Sequence, residues 1–257
     1  MTQEQHALSI YGDYNRDDDF AGMRQQDLNL PRLRLMAFNH KLVKERKANA
    51  GAWVDTAAEA TVIDSGQVGI LIPLMFWLEW IEWNPDKAAK QPIIARSSDP
   101  LSELAKSAER FEKIRGTDGK EKLKVTEYYS FLVLAPQYFG NYTDMLLVNF
   151  SKTGHKVGKA WLNRMRGFKI QEGEQKIGAP MWAVGWEFGS KVEVNDKGED
   201  YYVPVVGSGK LIPQEAVETV KTVALECKAR RQLLVDRNSN ANDKPEEEAT
   251  LVADADL

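Results

Sequence analysis

Six positively charged side chains lie between Asp144 and Glu172, in a stretch that contains no acidic residue. They are Lys152, Lys156, Lys159, Arg164, Arg166 and Lys169. The whole chain carries a net charge of −4, so this stretch is a concentrated positive feature in an acidic protein. Cations grouped in this way can bind the phosphate groups of a nucleic acid. An ordinary solvent-exposed basic surface is the alternative interpretation.

The residues around these cations predict the elements that carry them. The apolar residues 145–150 predict a strand, and the small and basic residues 151–158 predict a turn. Residues 159–168 then predict a short helix that contains Trp161. The spacing of Trp161 with Leu162 and Met165 is typical of a core anchor, whereas its basic neighbours favour a ring that stacks on unpaired bases. The sequence leaves both roles open.

The turn also has part of the pattern of a phosphate-binding loop. Gly154 and Gly158 precede Lys159 between a predicted strand and a predicted helix, which is the context that such a loop requires. The glycines are one residue too close together, and Ala160 stands where a serine or threonine would hold magnesium. The pattern therefore disfavours a nucleotide-binding enzyme as an alternative.

Two arginines and several aromatic residues outside this stretch complete the candidate site. Arg32 and Arg34 are two residues apart in a predicted strand, so their side chains point to the same side. That side is either an ordinary exposed face or a face that contacts phosphates. We expect one further aromatic side chain to stack bases beside Trp161, from among Trp77, Tyr128 and Trp182.

The charge is distributed unevenly along the 257 residues. Residues 1–27 carry a net charge of −4 and residues 238–257 carry −5, which leaves +5 on residues 28–237. We predict an acidic N-terminal arm at residues 1–27, one folded domain at residues 28–235 and a disordered acidic tail at residues 236–257. Such a tail would compete with a nucleic acid for a basic groove, or would only keep the protein soluble.

The composition narrows the class of protein. Cys227 is the only cysteine, which excludes an intrachain disulfide and a cysteine-rich zinc site and fits a reducing compartment. The N-terminus lacks a secretory signal pattern, and the most apolar run, residues 68–81, is too short to span a bilayer. We therefore expect a cytoplasmic protein without a membrane partner. The histidines match no metal-binding motif and we find no catalytic constellation, so we expect no metal, no cofactor and no enzymatic activity.

The remaining patterns predict a β-rich α+β domain. Strands are predicted at residues 32–35, 57–63, 68–83, 123–134, 179–194 and 200–206, the last two joined by a hairpin turn at residues 195–198. Pro73 predicts a bulge or a sheet edge within the third of these strands. One helix is predicted to begin with Asp99 as its N-cap and Pro100 at its first position, and to end near Gly116. Another helix is predicted to begin at Pro213.

Several segments together resemble a phage-encoded family of single-stranded DNA-binding proteins that act in replication and recombination. The segments are LPRLRL at residues 30–35, IPL at 72–74, WIEW at 80–83, VTEYY at 125–129, NFSK at 149–152 and KAW at 159–161. The resemblance extends over about residues 28–230 in order and spacing. The acidic C-terminus is similar to the tails with which single-strand binders dock replication partners and shield the groove. Those tails often end in an aromatic residue, whereas this chain ends with Asp256 and Leu257.

The resemblance implies an OB-like antiparallel β-barrel with peripheral helices. It also implies sequence-tolerant binding of single-stranded DNA in a cationic groove, with replication or recombination proteins as partners of the tail. The preference for DNA over RNA and homo-oligomerisation are left open. The alternative function is a phage protein-interaction module, such as an assembly factor or a host-enzyme inhibitor, whose acidic arms bind a basic partner.

Overall fold

The computed structural model describes residues 30–86, 93–117, 119–172 and 174–231, and both predicted acidic arms lie outside these ranges. The described residues form thirteen strands: β1 (Arg32–Leu35), β2 (Trp53–Asp55), β3 (Ala60–Ile63), β4 (Gly69–Trp83), β5 (Ile93–Ser97), β6 (Lys113–Arg115), β7 (Glu121–Leu123), β8 (Val125–Leu134), β9 (Met145–Phe150), β10 (Lys169–Glu172), β11 (Gln175–Gly178), β12 (Val184–Val194) and β13 (Asp200–Leu211). They also form five α-helices: α1 (Lys41–Lys44), α2 (Glu103–Glu109), α3 (Pro136–Phe139), α4 (His155–Gly167) and α5 (Val217–Ala229). Short 3-10 turns occupy Lys152–Gly154, Met181–Ala183 and Gln214–Ala216.

Nine of these strands form one sheet in the order β13-β12-β4-β8-β9-β1-β2-β3, with β5 also paired to β4. The length of β4 permits this arrangement, because β12 pairs with its beginning and β5 with its end. The pairs in this sheet are antiparallel, including the predicted β12–β13 hairpin, except that β1 and β9 are parallel. The register shift between Pro73 and Met75 confirms the predicted bulge in β4.

The sheet curls so strongly that strands from its two halves meet. Trp53 of β2 and Phe188 of β12 are separated by four strands in the sheet order, yet their ring centroids are 4.7 Å apart. The indole N–H of Trp53 also donates to the carbonyl oxygen of Gly189 at 3.0 Å. The result is a curled half-barrel, which confirms the predicted β-rich α+β class with an OB-like sheet.

Helix α4 fills the concave side of this half-barrel. Its residues Trp161 and Met165 belong to a buried apolar cluster that takes side chains from every strand of the large sheet except β5. The ring of Trp161 lies 4.6 Å from that of Phe131 on β8 and 5.5 Å from that of Phe188 on β12. The helix is therefore held by core packing along its inner side, and its outer side faces away from the sheet.

Helix α5 covers part of the convex side. Val220, Ala224 and Cys227 belong to a second buried cluster with apolar residues of β4, β8 and β9. Burial raises the pKa of the Cys227 thiol to about 11, so the thiol stays protonated at neutral pH. The sheet is thus enclosed between α4 on its concave side and α5 on its convex side.

Helix α2 begins later than the sequence predicts. The hydroxyl of Ser102 is the N-cap and accepts from the backbone N–H of Ala105 at 3.3 Å, whereas the carboxylate of Asp99 accepts from the N–H of Leu101. Both residues are good caps, so local hydrogen bonding does not choose between them. The packing of Ala105 against Trp80 and Val125 decides where the helix lies. The predicted end is also wrong, because α2 ends at Glu109 and the chain then forms β6, which pairs with β7.

Gly158 allows α4 to approach β9 closely. A Cβ atom at this position would lie 2.9 Å from the Cβ of Phe150 and 3.1 Å from its ring. We expect Gly158→Ala to lower the free energy of unfolding by about 1–3 kcal/mol, because the helix or the strand must shift. Gly167→Ala, at the end of the same helix, is the control, since a Cβ atom there would meet no atom within 4 Å. Chemical denaturation compares the two variants, and equal midpoints would contradict the close approach.

Candidate nucleic-acid interface

Three of the predicted cations form a line along the exposed side of α4, which we call the α4 stripe: Lys156, Lys159 and Arg166. Their spacing of three and seven residues places them on one side of the helix. All three are exposed, whereas Gly158, Trp161 and Met165 are buried on the opposite side. The stripe extends over about 15 Å, because each helical residue rises about 1.5 Å.

The positive charge of the α4 stripe is not neutralised by neighbouring acids. Within the ranges that the structure describes, no carboxylate lies within ion-pair distance of Lys156, Lys159 or Arg166. Several other exposed cations do have partners: Lys47 pairs with Glu59, Lys106 with Glu103, Arg110 with Glu112 and Lys191 with Glu193. The stripe is therefore available to attract an anionic ligand.

The charge in the first turn of α4 has the unfavourable sign for the helix dipole. It contains Lys156 and no acidic residue. A cation in the first turn opposes the helix dipole and costs about 0.3–1 kcal/mol, whereas an acid there would be stabilising. Lys156 therefore adds nothing favourable to the stability of α4 through the helix dipole.

The β10–β11 hairpin, which follows α4 in the chain, carries two further exposed cations. Lys169 on β10 lies on the same side of the hairpin as Gln171, which faces Lys176 on β11. Lys169 and Lys176 are both exposed. Lys176 is not among the site residues predicted from the sequence. The alternation of polar and apolar residues at Lys176 and Ile177 is the sequence pattern that could have identified it as an exposed strand position.

The other two cations of the acid-free stretch have different surroundings. Lys152 is exposed in the 3-10 turn that precedes α4 and has a φ of 47°. Nη1 of Arg164 donates to the backbone carbonyl oxygens of Val206, at 2.5 Å, and Gly207, at 3.2 Å, on the edge strand β13. Arg164 thus ties α4 to the edge of the sheet, and a substitution there would remove these hydrogen bonds.

Arg32 and Arg34 lie on the other side of the sheet. Leu33, between them, belongs to the concave cluster beneath α4. Arg32 faces Leu147 of β9, whose side chain belongs to the convex cluster with α5. The prediction that both arginines line one groove with the cations of α4 is wrong, because leucine side chains occupy the concave side of β1.

The aromatic side chains predicted to stack bases do not lie beside the α4 stripe. Trp161 and Trp77 have exposed fractions of 0% and 1%, since Trp161 fills the concave cluster and Trp77 the convex one. Their prediction as stacking surfaces is wrong, because protein atoms cover both faces of each ring. Tyr128 is 9% exposed and faces Glu79, and the half-buried Trp182 packs against the convex cluster.

The segment that resembles a phosphate-binding loop is helical. Gly154 ends the 3-10 turn Lys152–Gly154, and α4, which begins at His155, contains Gly158 and Lys159. His155 Nε2 is 2.9 Å from Glu127 Oε2, and the imidazole lies edge-on to the ring of Tyr129. The glycine-rich loop that a nucleotide-binding enzyme requires is therefore not formed at these residues.

The described ranges contain neither a candidate metal centre nor a candidate membrane helix. Nowhere in them do three or more His, Cys, Asp or Glu side chains come together in a group that could hold a metal ion. None of their helices combines the length and the apolar character of a segment that crosses a bilayer.

Comparison with known proteins identifies a family. A family model described as "Pam3 phage gp34-like protein" matches residues 2–230. No curated protein and no solved structure matches the chain. The match extends over well more than half of the sequence and agrees with the phage origin that the resemblance implies. The chain therefore belongs to the Pam3 phage gp34-like protein family.

Proposed function

We propose that this protein binds single-stranded DNA in phage replication or recombination, by holding the phosphate chain along the α4 stripe and the β10–β11 hairpin. One observation carries the proposal. The α4 stripe, Lys169 and Lys176 form successive exposed cations on one helix and the hairpin that follows it, and the described residues place no carboxylate at the stripe. No chemical step and no cofactor is part of the proposal.

A narrow track of charge suits a single strand better than a duplex. The cations lie in one line along α4, so they can contact successive phosphates of one sugar-phosphate chain. Each phosphate that a cation neutralises releases bound counterions, and this release drives association without reading the base sequence. Binding is therefore expected to tolerate sequence changes and to depend steeply on salt.

The size of the salt effect tests the proposal. Five phosphate contacts on a single strand predict a slope of about −3.5 in a plot of log affinity against log salt concentration. Affinity for labelled oligothymidine, measured by fluorescence anisotropy, should fall about 100-fold between about 50 and about 200 mM salt. A duplex of equal length should bind more weakly. If neither oligonucleotide binds at the lower salt concentration, the protein is not a nucleic-acid binder.

The acidic residues 236–257 fit this function as a competitor of the DNA. A polyanion joined to the domain would occupy cationic positions until a nucleic acid displaces it, and it could then dock replication or recombination proteins. This part of the proposal rests on charge alone, since these residues lie outside the described ranges.

An exposed apolar patch favours a second candidate, a phage protein-interaction module such as an assembly factor or host-enzyme inhibitor. Val192 and Val194 are exposed on β12, and Val192 faces Tyr202 on the edge strand β13. The ring of Tyr202 lies 5.1 Å from that of the exposed Phe38. A contiguous exposed apolar patch is typical of a protein-interaction surface. The oligonucleotide titration separates the candidates, because this one predicts no binding at any salt concentration.

A further inference from the structure

An open depression of about 670 Å³ lies between the end of α4 and the β12–β13 hairpin. Arg164, Gly167 and Phe168 line it on the side of the helix. Trp186, Gly207 and Ser208 line it on the side of the sheet. Its position matters because Phe168 stands in the chain between two cations of the proposed interface, Arg166 and Lys169.

The apolar wall of the depression is aromatic. Phe168 is half-buried, and its ring lies 5.8 Å from that of Trp186 at an interplanar angle of 70°. Trp186 is 3% exposed, and its Nε1 has no hydrogen-bond partner among the described residues. The packed ring of Trp186 therefore closes the depression on this side, and Phe168 is the more accessible of the two rings.

Two glycines leave the β13 side of the depression without side chains at these positions. A Cβ atom at Gly209 would lie 3.2 Å from the ring of Trp186, and one at Gly207 would lie 2.6 Å from Glu187 Oε2. Hydrogen bonds from the side chain and the backbone N–H of Ser208 lower the pKa of Glu187, with Lys210 adding to the effect. Glu187 is therefore ionised at neutral pH, and its carboxylate accepts from the backbone N–H of Ser208, which fixes the β13 backbone at the edge of the depression.

We infer that this depression is a nucleobase subsite, in which one unpaired base lies against Phe168 while its flanking phosphates contact Arg166 and Lys169. The inference rests on the proposed function and deepens it, since it names the part of the ligand that the cations do not bind. A planar ring gains contact with the aromatic wall, and Arg164 and Ser208, which also line the depression, offer polar groups to its edge. Because any base offers a planar face, the subsite preserves sequence tolerance.

The test compares oligothymidine with an abasic strand of the same length and charge, using the full-length protein. We expect the wild type to bind oligothymidine about 10-fold more tightly than the abasic strand, since stacking contributes about 1–3 kcal/mol per base. Phe168→Leu should lose most of this preference, while its affinity for the abasic strand stays unchanged. Leu162→Val is the matched control, because Leu162 packs half-buried on the same cluster without lining the depression.

The outcomes separate the inference from the function on which it rests. If the wild type binds both strands equally and with a steep salt dependence, the cationic interface stands and the base subsite is wrong. If Phe168→Leu and Leu162→Val weaken binding of both strands alike, the effect is structural and the subsite is again wrong. If neither strand binds, the proposed function fails together with the subsite.

Discussion

Replacing Lys156, Lys159 and Arg166 together with alanine is expected to weaken the binding of oligothymidine by about 100-fold at about 0.1 M salt. Each lost phosphate contact removes the release of bound counterions, which contributes about fivefold in affinity at this salt concentration. Alanine is the best residue for this test, because it has the highest helix propensity and all three side chains are exposed. Thermal unfolding should therefore be almost unchanged.

The slope of log affinity against log salt concentration gives a second measurement on the same variant. Losing three contacts should reduce its magnitude by about 2. The matched control replaces Lys41, Lys44 and Lys113, which are also exposed but lie on α1 and β6, where Lys41 pairs with Glu45 and Lys113 with Glu121. It removes the same net charge from other surfaces, so its slope should stay close to that of the wild type. Equal losses in the two triple variants would show that net charge, and not the α4 stripe, controls binding.

Replacing Trp161 with alanine is expected to lower the free energy of unfolding by about 3–5 kcal/mol. Trp161 is fully buried and contacts the rings of Phe131, Phe150 and Phe188, so truncation leaves a large cavity between α4 and the sheet. For a domain of this size the midpoint of thermal unfolding should fall by roughly 10–15 °C, which calorimetry would measure.

Trp161→Phe separates a core role from a binding role. Trp161 Nε1 has no hydrogen-bond partner among the described residues, so phenylalanine removes an unsatisfied donor while it keeps most of the packing. We expect this variant to lose only about 1 kcal/mol of stability and to bind oligothymidine as the wild type does. Trp83→Ala is the control at a half-buried position at the end of β4, and it should cost much less than Trp161→Ala. A stable Trp161→Phe variant with lost affinity would restore Trp161 as a stacking residue.

Features that depend on neighbouring residues were predictable from the sequence. The alternation and turn residues of β12 and β13 predict their hairpin, and Pro73 predicts the bulge in β4, because strand pairing cannot use a proline nitrogen. The absence of acidic residues between Asp144 and Glu172 is enough to group the cations of the α4 stripe on one segment. Helix α4 begins earlier than predicted, at His155, which brings Lys156 onto the same helical face as the other two cations of the stripe.

Features that depend on which side of the sheet faces the core were not predictable. Arg32 and Arg34 share a side in any strand, but only the curl of the sheet shows that this side is opposite α4. The aromatic residues have the same ambiguity, since a tryptophan is suited to core packing as well as to base stacking. Phe168 has no sequence signal that separates it from core aromatic residues, and its place in the depression follows only from the approach of β13 to the end of α4.

By itself, the amino-acid sequence of this protein determined the β-rich class, the main strands and the position of the unopposed positive charge along the chain. These follow from local periodicity and composition, which act over a few residues. The tertiary structure alone decided that α4 is packed into the concave side of a curled sheet, with Trp161 inward and the cations outward. The position of α4 depends on burying apolar surface from eight strands at once, so it cannot be predicted from any short stretch of sequence.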